Sequence, residues 1–144
     1  MDDVLADEGA YVTLTNENTG NTITLPVNKA EQVPEKGYKF SIPLAAKEAS
    51  DTITAKVFDS KGAVTLIGDQ SGKDHTKTDA QCTLMQYFDW LAGSGESDKE
   101  KAVGAAAKDY CTAAQIYFNY NADGLSVSGA VDSVTAETLS NYTS

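Results

Sequence analysis

TDAQCTLMQYFDWLAG, residues 78–93, is where the chain changes its period. Upstream, apolar and polar residues alternate. Within this stretch apolar residues recur every three or four positions, the spacing of one helix face. Thr78 and Gln81 have the spacing of a capping box, Cys82, Met85, Phe88 and Ala92 share one stripe, and Leu84 and Leu91 lie beside it. Gly93 is the expected stop.

Working back toward the N-terminus, the pattern from Tyr11 to Ile67 is that of half-buried antiparallel strands. YVTLT alternates with Thr, TITLPV follows an NTGN turn, and YKFSIPL sets Tyr38, Phe40 and Ile42 against Lys39 and Ser41. DTITAKVFD and AVTLIG are separated by SKG, whose glycine suits a tight hairpin with one residue at positive φ. Pro26 and Pro43 lack a ladder donor and belong at strand ends or edges. LAAKEAS, residues 44–50, reads as a short helical turn.

Toward the C-terminus, GSGE leads to a second capping box, Ser97 with Glu100. Val103, Ala107, Tyr110, Ala114, Tyr117 and Phe118 follow at helical spacing. Two helices joined by so short a loop make an antiparallel hairpin. Gly104, Ala105, Ala106, Ala107, Ala113 and Ala114 would let a neighbouring backbone or a large ring approach the second helix closely. The last twenty residues are weakly patterned and read as an extended link with a short turn of helix or strand.

The expected fold class is therefore α+β: an antiparallel β-sheet or small β-sandwich in the N-terminal half, packed on an antiparallel helical hairpin in the C-terminal half. Residues 1–8 read as a disordered N-terminus, without the basic and apolar regions of a signal peptide, and Met1 as an artificial start. Residues 9–144 read as a single module, with the β part over 9–67, the hairpin over 76–121 and a C-terminal link over 122–144.

A chain of 144 residues, 41% hydrophobic and 22% charged, can bury one core, and no run of residues is long and apolar enough to span a membrane. No membrane insertion is expected. With 11 Lys+Arg against 21 Asp+Glu, the formal charge of -10 repels a polyanion at long range, which disfavours nucleic acid.

Cys82 and Cys111 would lie at similar depths in an antiparallel hairpin if both were helical, because about ten and about thirteen residues separate them from the connecting loop at 1.5 Å per residue. A Cys82–Cys111 disulfide is expected, closing a loop of about 30 residues for roughly 3–4 kcal/mol. The competing reading is two reduced thiols in a small-residue interface. Zinc wants about four ligands, more than two cysteines and one histidine supply.

Little in the chain points to catalysis. His75, the one histidine, sits in the polar bridge DHTKTD and reads as solvated. No nucleophile elbow, zinc-helix motif, P-loop or dinucleotide glycine pattern occurs, and 21 acidic residues make any single carboxylate pair uninformative. The expectation is no enzyme and no cofactor. Rings could instead stack on sugars, but Tyr87, Tyr117 and Phe118 fall on helical stripes and are expected in the core. Trp90 and Tyr120 lie off those stripes and remain the ligand-binding candidates.

YFNYNADG, residues 117–124, offers Asn119, Asn121, Asp123 and Gly124 at positions one, three, five and six of an EF-type calcium loop. Position one is neutral and position twelve is Ala130, so no metal site is expected. Asn and Gly are instead suited to a left-handed helix stop, with Tyr117 and Phe118 in the last buried turn.

Two phrases, YKFSIPLAAKEASDTITAKVFDSKG (38–62) and AAQIYFNYN (113–121), followed by VTAETLSNY (134–142), resemble an uncharacterised module of secreted and cell-surface proteins of Gram-positive anaerobic bacteria. The shared phrases are AKExxDxIxA and AAQxYFxYN. Ala49 stands where that group usually has Met, and Cys111-Thr112 replaces its Gly-Ala. The resemblance implies export and display at the bacterial cell surface, a protein or glycan ligand there, and no chemistry. It also implies that the chain stops short of its module's last strands, or stops where a partner strand would add. On this reading the chain is a non-catalytic binding or spacer module of an exported surface protein. The alternatives are a carbohydrate-binding accessory or catalytic unit of a carbohydrate-active enzyme, and an adhesin domain for a host protein.

Overall fold

The computed structural model describes residues 4, 6–34, 37–64 and 78–127. The fold is α+β, with antiparallel sheet in the N-terminal half and two packed helices in the C-terminal half. Among the described residues, those of 1–43 and 51–83 gather into one compact unit and those of 44–50 and 84–144 into another.

The first unit is built on strand β1 (Tyr11–Asn16), flanked by β2 (Thr22–Pro26) and β5 (Ile53–Asp59). Alternation along β1 decides which face is buried: Val12, Leu14 and Asn16 are buried while Tyr11, Thr13 and Thr15 are half-exposed. Ala10, Val12, Leu14 and Val27 form the core, against which Ile23, Leu25, Phe40, Ile42, Ala55 and Val57 pack. A separate two-stranded ladder joins β3 (Glu31–Val33) to β4 (Gly37–Lys39). Phe40 and Ile42 thus do the core work expected of YKFSIPL, although the strand itself stops at Lys39.

The SKG hairpin forms as its residues suggest. β6 (Gly62–Ala63) pairs with β5 through a two-residue turn, Gly62 sits at φ 127°, and Asp59 Oδ1 accepts from the Lys61 N–H at 2.8 Å. Pro26 ends β2, which is an edge strand, so its missing donor costs the ladder nothing. Asn16 closes the β1–β2 turn from inside. Its Oδ1 accepts from the N–H groups of Asn18 and Thr19 at 2.9 and 3.2 Å, and its Nδ2 donates to Asp51 Oδ2 at 2.9 Å. Both side chains are buried, and the pair ties the turn to the entry of β5.

One expectation fails here. Residues 79–82 are strand β7 (Asp79–Cys82), paired with β5 over Ile53–Lys56, and not the first turn of a helix. An unpaired edge of β5 accepts DAQC as a ladder, which satisfies its backbone groups more completely than a frayed helix start would.

In the second unit, α1 (Leu84–Ser94) and α2 (Asp98–Tyr117) form the expected hairpin. The Ser97–Glu100 box is complete: Ser97 Oγ accepts from the Glu100 N–H at 3.2 Å, and Glu100 Oε2 accepts from the Ser97 N–H at 2.9 Å. Contacts run in opposite order along the two helices, Gly95 against Glu100, Leu91 and Ala92 against Gly104, and Asp89 paired with Lys108, so the helices are antiparallel. Ala46–Glu48, the short turn expected in LAAKEAS, is a 3-10 turn whose neighbours join the hairpin. The Ala49 carbonyl accepts from the Met85 N–H at 2.8 Å and Ser50 Oγ donates to Gln115 Oε1 at 3.2 Å.

Candidate functional site

The buried face of α2 is made from small and polar residues. Gly104, Cys111, Thr112 and Gln115 are the buried positions of α2. A Cβ on Gly104 would lie 2.6 Å from the Ala92 backbone nitrogen, so the two helix backbones are nearly in contact. A gap this narrow has no room for a tyrosine. The stripe Val103, Tyr110, Tyr117, expected in the core together with Phe118, therefore points outward: Tyr110 is 69% exposed, Tyr117 78% and Phe118 61%. Tyr87, also expected in the core, is 53% exposed. This corrects the sequence expectation, which chose the stripe with the larger side chains and not its smaller neighbour.

Trp90 is 55% exposed and stacks on Tyr87, ring centroids 6.0 Å apart and planes 29° off parallel. At about 100° per residue, Tyr87 and Trp90 on α1 fall on one flank of the Leu91–Ala92 contact and Asp89 on the other. On α2, Tyr110 and Tyr117 fall on the side away from Lys108, separated along the axis by about 10 Å. Tyr87 and Trp90 thus form one ring pair on α1, and Tyr110 and Tyr117 a separate outward stripe on α2.

Tyr120, the second ligand candidate, is engaged internally. Lys47 Nζ lies 5.3 Å from the centroid of the Tyr120 ring and 5.5 Å from that of Phe118. Phe118 in turn meets Tyr117 edge-on, centroids 5.0 Å apart at 86°. Lys47, on the 3-10 turn, thereby holds Phe118, and Phe118 braces Tyr117. The structure keeps Trp90 as an open ring and places Tyr120 in the brace.

The cysteines are both free thiols, so the expected disulfide is absent from the structure. Its premise was that both were helical. Cys82 is instead an exposed residue of strand β7, whereas Cys111 is buried on α2, where loss of solvent pushes its thiol pKa up.

No cluster of three or more His, Cys, Asp or Glu side chains suited to a metal occurs among the described residues, and of Asn119, Asn121 and Asp123 only the last is a carboxylate. Asn119 and Asn121 are both left-handed, each with φ 49°. The Tyr120 N–H donates to the Gln115 carbonyl at 2.9 Å and the Asn119 N–H to that of Ile116 at 3.1 Å. These are the two bonds of a Schellman stop, with Asn in the place glycine usually takes. His75 lies outside the described residues.

An apolar groove of about 580 Å³ opens in the first unit, lined by Val12, Leu14, Val57, Tyr38 and Phe40 among others. Its walls are largely core side chains, and no carboxylate, histidine or thiol lines it. No helix among the described residues is long and apolar enough to cross a membrane. No family model matches the chain, and no curated protein or solved structure matches it.

Proposed function

We propose that the chain is a non-catalytic binding module of an exported bacterial surface protein, and that its ligand touches the exposed rings of the helical hairpin. Export and surface display rest on the AKExxDxIxA and AAQxYFxYN phrases. Binding rests on one observation: among the described residues, every exposed large hydrophobic side chain except Tyr38 lies in the helical unit. Single apolar residues on a surface are ordinary, whereas exposed rings collected in one unit mark a contact surface.

Trp90 is the one tryptophan of the chain, so its emission reports on these rings without labelling. The test is to measure retention of the chain on immobilised mucin and on purified Gram-positive cell-wall material, alongside a Trp90→Ala/Tyr117→Ala double variant. Retention of the parent chain, lost in the variant, is the expected result. Equal retention of the two would place the contact elsewhere, and turnover of any polysaccharide in the same samples would overturn the non-catalytic reading.

A further inference from the structure

We draw no further inference here: the strongest candidate, the apolar groove of the first unit lined by Val12, Leu14, Tyr38, Phe40 and Val57, is walled largely by core side chains, and nothing in the structure shows what covers it.

Discussion

Asn119 carries the bend that ends helix α2, at φ 49°, a conformation that costs most residues about 1–2 kcal/mol and asparagine less. Replacing it by alanine should lower stability by about 1 kcal/mol, whereas Asn119→Gly should leave the melting temperature unchanged or raise it slightly. A melt in which glycine is the more damaging of the two would contradict the Schellman stop. Asp7 holds a second local knot. Its carboxylate accepts from the Ser60 N–H and from the Gly9 N–H, both at 2.8 Å, and the Ser60 backbone and hydroxyl first, then Gly9, hold its pKa below the ordinary value. A lowered folded-state pKa stabilises above the unfolded carboxylate range near pH 4, and that contribution disappears as pH falls through the folded value. The stability difference between the parent and Asp7→Asn should therefore be present at pH 7 and vanish in acid. A difference that grows on acidification would refute the assignment. The Asn119 stop was legible in YFNYNADG because left-handed tolerance belongs to the residue itself. The Asp7 contact was not, since 53 positions separate it from Ser60.

At the scale of elements, the hairpin turns on which glycine has a neighbour. Gly93 and Gly104 are both helical, and alanine in a helix ordinarily gains about 0.5–1 kcal/mol over glycine. Gly93→Ala should show that gain, because nothing lies within 4 Å of the added carbon. Gly104→Ala should instead cost about 1–3 kcal/mol, since the new methyl would meet the α1 backbone. Thermal melts of the two variants moving in the same direction would mean that the helices do not pack through Gly104. The Ser97–Glu100 cap was readable from spacing, because a capping box closes within four residues. Strand β7 was not readable. DAQC is helical by its own pattern, and only the available edge of β5 makes it a strand.

For the whole molecule, 21 acidic groups against 11 basic ones leave a net repulsion that the exposed ion pairs seen among the described residues, Lys39–Glu31 and Lys108–Asp89, do little to offset. Raising the salt from about 0.01 M to about 0.15 M shortens the screening length from about 30 Å to about 8 Å and should raise the melting temperature. A melting temperature that falls with salt would show that attractive pairs dominate instead. The sequence by itself determined the α+β order of elements, the SKG hairpin, the second helix cap and the asparagine stop. Each depends on residues close together in the chain, where periodicity and local hydrogen bonding act. Tertiary structure alone decided that residues 79–82 become a strand, that Cys82 is an exposed strand residue and Cys111 a buried helical one, and which of two neighbouring stripes of α2 faces its partner. The last choice follows from the closeness of two backbones at Gly104, a distance that no property of the tyrosines records, and it turned the rings outward to form the candidate site.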